Sequence, residues 1–218
     1  MLSNARIRLS VLALLSGLLP AAAIAQELTV YGGGALQYYT KNDDGPSKSD
    51  LNAYIELEYN GFYGGIWGEV TDLEAANEIN LYLGYRGSSG KISYDLNYYY
   101  YIYPETPAGE DYDYGELNLY ADYALTDAFA VGVDLYHQPD SKDNAAYLVA
   151  TWYATDKLTL DASYGRYEYL GERSNEWEFG VGYMVTDEFG VELRYYNGQD
   201  YDDSLRLQLS WDTTLFSR

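Results

Sequence analysis

The amino-acid sequence predicts an all-β chain, a 12-stranded antiparallel β-barrel of the membrane-spanning kind. Three observations lead there. Apolar and polar residues alternate with period two from residue 28 to residue 212, and no stretch carries a helical period. The connections between alternating runs switch between tight and long. Aromatic residues on one parity collect near both ends of the runs and leave an aliphatic band between them.

The first residues stand apart from this pattern. Arg6 and Arg8 precede an apolar run from Leu9 to Leu19, and Ala23-Ile24-Ala25 is a small-x-small cleavage site. The run is shorter than the roughly 20 apolar residues of a spanning helix. Residues 1–25 are therefore expected to be a cleaved signal peptide, and 26–218 the barrel. Strands are expected near 28–40, 50–60, 62–72, 77–87, 91–103, 114–125, 128–138, 144–154, 157–169, 175–185, 188–197 and 203–214. The second shows the pattern well: Leu51, Ala53, Ile55, Leu57 and Tyr59 alternate with Asn52, Tyr54, Glu56 and Glu58. The last does the same, with Leu205, Leu207, Leu209 and Trp211 against Arg206, Gln208, Ser210 and Asp212.

Tight connections are expected at Asn60-Gly61, Ser88-Ser89-Gly90, Thr126-Asp127, Thr155-Asp156 and Thr186-Asp187. These residues tolerate positive φ or bond back to the chain through a side-chain oxygen. Longer polar connections fall at 41–49, 72–77, 104–113, 139–143, 171–175 and 198–203. In membrane barrels the short turns face the periplasm and the long loops face outside.

The apolar parity carries Tyr59, Phe62, Tyr85, Tyr94, Tyr123, Phe129, Tyr183, Phe189 and Trp211 near the short turns. It carries Tyr38, Tyr100, Tyr164, Trp177 and Tyr195 near the long loops. Two aromatic bands around an aliphatic one match the two headgroup layers of a bilayer. A soluble core has no reason to sort side chains by height.

The opposite parity points into the barrel. It carries Glu56, Glu58, Glu69, Glu78, Asp95, Glu116, Asp122, Asp134, Asp161, Glu176, Glu178, Glu192 and Asp212. Arg86, Lys91, Arg194 and Arg206 oppose them, and tyrosines including Tyr99, Tyr101 and Tyr120 fill the space between. Carboxylates in a dry core would each cost several kcal/mol, so the interior is expected to hold water. Twelve strands lie between filled eight-stranded barrels and open porins. A narrow lumen is expected, with excess carboxylate that favours cations and loses selectivity in acid as it protonates. No basic track for acidic oligosaccharides is apparent in the sequence.

Composition narrows the function further. The net charge is −21, and two of the thirteen basic residues, Arg6 and Arg8, lie in the leader. Nucleic acid needs clustered Lys and Arg, so it is not an expected partner. The chain has no cysteine, which removes disulfides, thiolate metal sites and cysteine nucleophiles. Acidic residues mark the loops: Asp43, Asp44 and Asp50, then Glu105, Glu110, Asp111 and Asp113, then Asp200, Asp202 and Asp203. None has the spacing of a dedicated calcium loop. A lipid-modifying enzyme would need a Ser-His pair at the rim. The single histidine, His137, has no serine at a suitable spacing and reads as a rim residue. Arg166 is unusual, because its parity faces outward near the loops. No catalytic residue, cofactor or metal is expected. The alternative to a channel is a structural or adhesive barrel with a closed lumen.

Several stretches carry a family resemblance. They are Gly61-Phe62-Tyr63-Gly64-Gly65-Ile66-Trp67-Gly68, Glu78-Ile79-Asn80-Leu81-Tyr82-Leu83-Gly84-Tyr85 and Ile92-Ser93-Tyr94-Asp95-Leu96. Tyr98-Tyr99-Tyr100-Tyr101-Ile102-Tyr103-Pro104 and Gly115-Glu116-Leu117-Asn118-Leu119 follow in order. In sequence and spacing they resemble the TorF family of bacterial outer-membrane porins. The resemblance implies an outer-membrane location and a pore, and it brings no catalytic residue. Expected partners are outer-membrane lipids and lipopolysaccharide, small cationic or sugar-like solutes, and the barrel-assembly machinery during insertion.

Overall fold

Twelve strands follow one another in the computed structural model, which describes residues 28–40, 47–72, 77–169, 171–200 and 203–218. They are β1 (Leu28–Tyr39), β2 (Lys48–Tyr59), β3 (Phe62–Thr71), β4 (Glu78–Ser89), β5 (Ile92–Ile102) and β6 (Tyr114–Thr126). The second half comprises β7 (Phe129–His137), β8 (Asn144–Tyr153), β9 (Leu158–Tyr169), β10 (Glu172–Met184), β11 (Phe189–Gly198) and β12 (Ser204–Ser217). Each strand pairs antiparallel with its sequence neighbours, and β1 pairs with β12 to close the ring. At the seam the Leu28 amide donates to the Arg218 carbonyl at 2.8 Å, and the reverse bond is 3.0 Å. The expected signal peptide lies outside the described residues, as do Asp43, Asp44 and Asp202.

Turn chemistry sets the short rim. Asn60 and Gly61 both have positive φ, 53° and 81°, the conformation that a two-residue hairpin turn needs. The three Thr-Asp turns share one device. Thr126 Oγ1 accepts from the Ala128 amide at 3.2 Å. Thr155 Oγ1 accepts from Lys157 and Leu158, and Thr186 Oγ1 from Glu188 and Phe189. A hydroxyl in place of a carbonyl closes each bend.

Several strand boundaries differ from expectation, among them those at two connections. The tight turn expected at Ser88-Ser89-Gly90 sits one residue later, because Ser89 pairs with Ile92. Of the expected long loop 171–175, only Gly171 is turn and 172–175 are strand. Glu172 pairs with Tyr169, and the ladder runs on through Arg173, Ser174 and Asn175. Polar composition suggested a loop there, but the inward residue Ser174 is buried and the outward ones pair with β9.

The pleat sorts side chains as the parity predicts. Leu51, Ile55, Leu81, Leu83, Leu148 and Leu193 project from the outer surface. On the short-turn side Phe62 meets Tyr85 at a ring separation of 4.7 Å, and Phe129 and Phe189 lie in register with Trp152 and Trp211. On the loop side Tyr164 is in register with Trp177, which packs against Tyr195 at 5.0 Å.

Leu193 is 48% exposed on the outward face, in register with the aliphatic Val181 and Leu207. In phosphatidylcholine vesicles, Leu193→Arg is expected to destabilise the barrel by about 2–4 kcal/mol, as charge does on a lipid face near midplane. Urea titration of the inserted protein measures this. A cost within about 0.5 kcal/mol, typical of a water-exposed site, would contradict a lipid-facing surface.

Candidate functional site

Inward side chains are large, and glycines on neighbouring strands make room for them. A Cβ at Gly65 would stand 2.5 Å from the Tyr82 hydroxyl, and one at Gly84 would stand 2.6 Å from that of Tyr63. The aromatic side chains therefore lie along the wall. Tyr63, Trp67, Tyr82 and Tyr99 form a buried cluster, with Tyr54 and Tyr101 packed against it. Tyr82 stacks on Tyr99 with ring centroids 4.9 Å apart, and Tyr101 stacks on Tyr114 at 4.5 Å. Tyr120, Tyr136 and Tyr147 continue edge to face at 5.7 and 6.0 Å. This aromatic wall spans β3 to β8.

The opposite wall carries most of the inward positive charge. Arg194 and Arg206 are direct cross-strand neighbours. Arg206 is in register with Tyr39, and Tyr39 with Lys48. In the closed ring β5 and β6 lie opposite β11 and β12, so the stacked tyrosines and the Arg194–Arg206 pair belong to opposite sides of the barrel. The sequence showed no basic track. Strand register assembles a short one from residues scattered along the chain.

That row is neutralised where it stands. Arg194 contacts Asp161 at 2.7 Å, Glu178 at 3.2 Å and Glu192 at 3.1 Å. Arg206 meets Glu192 at 2.5 Å, and Lys48 meets Asp50 at 2.6 Å. Arg194 reaches Asp161 across β10 because Gly180 lies between them. A Cβ there would stand 2.6 Å from both the Arg194 Nη2 and the Asp161 Oδ1. Guanidinium forks suit such shared carboxylates. A second cluster joins Arg86 to Glu56 at 2.5 Å and to Glu58 at 3.4 Å, with its guanidinium 3.8 Å from the Tyr63 ring centre.

A different set of carboxylates is held by neutral donors. Tyr63 donates to Asp95 at 2.6 Å, Tyr147 to Glu176 at 2.7 Å and Tyr54 to Asp212 at 2.8 Å. Tyr101 donates to Glu116 at 3.4 Å, and Asn80 to Glu78 at 2.8 Å. A hydroxyl or amide stabilises a carboxylate charge without cancelling it. Glu69 and Glu78 lie directly opposite each other on β3 and β4, towards the loop end, a like-charge placement that works against sheet stability. Asp122 and Asp134 complete the inward acids, half-buried on β6 and β7.

Several residues fall elsewhere than expected. Lys91 is not in the lumen: it is exposed on the short rim, where its Nζ donates to the Leu125 carbonyl at 3.1 Å. The strand β2 starts two residues earlier than drawn, so Asp50 is no loop residue but fully buried at 0% exposure. Lys48 was missed for the same reason, and extending the alternation back through Ser49 would have found it. Inward amides were also missed. Gln37 bonds Gln208 at 2.7 Å across the seam, and Asn97 lies in register with Asn118. Loop acids serve local bonds: Asp113 accepts from the Tyr103 amide, and Asp203 from the Tyr195 hydroxyl. His137 faces outward at the loop rim with Nδ1 2.9 Å from Asn144 Oδ1. Among the described residues no group of His, Asp and Glu is arranged to hold a metal.

No family model and no curated protein matches the sequence. Solved structures do. The KdgM porin superposes with a TM-score of 0.66 at 12% identity, over 82% of this chain and 98% of that one. The NanC porin gives 0.61 at 9% identity, over 85% and 100%. An outer membrane channel from Pseudomonas putida F1 gives 0.55 at 11% identity, over 88% and 97%. The chain has a porin fold. One of these likenesses is to the KdgM porin in complex with disordered oligogalacturonate, a ligand that belongs to that protein.

The Arg194 cluster yields a thermodynamic test. Arg194→Ala leaves three carboxylates together and is expected to cost about 3 kcal/mol, the lower end for breaking a buried pair. Gly180→Ala should cost about 1–3 kcal/mol by overpacking, and clearly less when Arg194 is already alanine and only the Asp161 carboxylate is crowded. Urea midpoints of the two single variants and the double variant check this. Strict additivity would show that Gly180 does not serve the Arg194–Asp161 contact.

Proposed function

We propose that this chain is an outer-membrane channel for passive diffusion of small solutes, narrow and cation-preferring. One observation carries the proposal. Asp212 is held by the neutral Tyr54 hydroxyl, and Glu69 faces Glu78 in direct register. Fixed negative charge that keeps its sign concentrates cations and repels anions in a confined water path. The tyrosine wall restricts the bore, and flat ring faces beside carboxylates suit small cationic or sugar-like solutes. The proposal includes the cleaved leader at 1–25, membership of the TorF porin family and assembly by the barrel-assembly machinery. It also places the long loops outside the cell. The fold likeness to porins and the two aromatic bands support the location.

A second reading, a structural barrel with a closed lumen, is favoured by the near-complete burial of inward Arg206, Asn80 and Asn118. Recording in planar bilayers separates the two. Under a KCl gradient the purified barrel is expected to give small single-channel currents, with a reversal potential on the cation side. Glu69→Gln with Glu78→Gln is expected to move that potential clearly toward zero, and acid should do the same as lumen carboxylates protonate. A chloride-selective reversal potential would refute the cation preference. A silent barrel that remains folded would establish the closed-lumen reading.

A further inference from the structure

Among the described strands, charge on the outward face is confined to one place. Among the described strand residues of outward parity, the charged ones are Arg166 and Glu168 on β9 and Arg173 on β10. All three belong to the β9–β10 hairpin, where Arg173 was expected in a long loop and Arg166 and Glu168 on a strand. Asn144 on β8 and His137 on β7 stand one and two strands from β9 at the same rim. Arg166 Nε donates to Asn175 Oδ1 at 3.3 Å, and Arg173 Nε lies 3.5 Å from Glu168 Oε2. The Arg173 side chain is 63% exposed, so its guanidinium keeps most of its donors free for another partner. For a chain of net charge −21, two outward arginines on one hairpin are a local reversal of sign.

These residues border an open groove of about 500 Å³ on the outer surface. Its floor is apolar, formed by Leu96, Leu117, Leu119 and Leu135. It is shallowest in side chain at Ala146, which lies in register between Leu135 and Arg166. The height is informative. Arg166 lies two residues loopward of Tyr164, the partner of Trp177 in the loop-side aromatic band. Two residues of strand rise roughly 7 Å, so the guanidinium groups stand just beyond the aromatic band, where headgroups begin.

We propose that this groove is a binding site for the phosphorylated headgroup and one acyl chain of an outer-leaflet lipopolysaccharide. Arg166 and Arg173 pair with the phosphate, for which a guanidinium fork is suited. Asn144 and His137 offer further polar contacts, and the leucine floor takes the chain. Glu168, 3.5 Å from Arg173, lowers the net positive charge of the site. The proposal rests on the membrane reading above, since only loops placed outside put this groove in the outer leaflet.

Native mass spectrometry of the refolded barrel in detergent tests it, with diphosphoryl lipid A and its dephosphorylated form as probes. Diphosphoryl lipid A is expected to bind at least tenfold more tightly than the dephosphorylated form. Arg166→Ala with Arg173→Ala should remove that preference, while Arg166→Lys with Arg173→Lys should retain part of it. Lys91→Ala with Lys157→Ala, on the short rim, should leave it unchanged. Equal binding of the two lipids, or an equal loss from the short-rim pair, would overturn the site. A folded control by heat-modified gel mobility excludes trivial loss of structure. Carbonate extraction from phosphatidylcholine vesicles is the separate check on membrane residence. A barrel that resists extraction but shows no phosphate preference refutes the site alone, and one that is extracted refutes the membrane reading.

Discussion

Pairing of backbone groups is the constraint from which the rest of this molecule follows. A strand in hydrocarbon cannot leave its N–H and C=O groups bare, so a sheet there has to close on itself. Here the closure is the β1–β12 seam, where a bulge at Val30/Tyr31 adjusts the register before the ladder continues to Tyr39 and Arg206. Once the ring is closed, the pleat leaves each side chain two destinations. A shift of one residue would send every leucine inward and every carboxylate outward, so register and burial lock each other.

The lumen then has to satisfy everything the pleat sends there. It does so by pairing large residues with glycine and charged residues with donors. Tyr63 and Tyr82 lie over Gly84 and Gly65, and Arg194 over Gly180. Where an arginine is within reach, as at Glu192 and Glu56, charge meets charge. At Asp212 the Tyr54 hydroxyl supplies the hydrogen bond and adds no positive charge. An abundance of tyrosine thus has two uses, as packing for the wall and as a neutral donor that preserves a negative field. That pairing of roles links the composition to the proposed preference for cations.

How far the sequence could be read depended on the range of the interactions. Strand number, alternation and the Thr-Asp turns are local, and they were legible residue by residue. The hairpin at Tyr169 and Glu172 was not, because its polar residues resemble a loop until β9 is laid beside them and Ser174 is seen to be buried. Lys91 has inward parity by simple counting, yet the turn at Gly90 carries it to the rim. Lys48 was hidden because Asp50 and Ser49 looked like loop polarity, although they continue the strand.

By itself the sequence determined the ring of antiparallel strands and the face to which each side chain points, because a two-residue repeat and a turn are properties of neighbouring residues. Only the tertiary structure decided which charges meet. Arg194 and Asp161 lie on different hairpins, and Tyr54 reaches Asp212 from the other end of the chain. Those contacts depend on how strands are staggered around a closed ring, and stagger is set by the ladder as a whole. The same holds for Arg166 and the leucines beneath it, which become one groove only after β5 through β10 stand side by side.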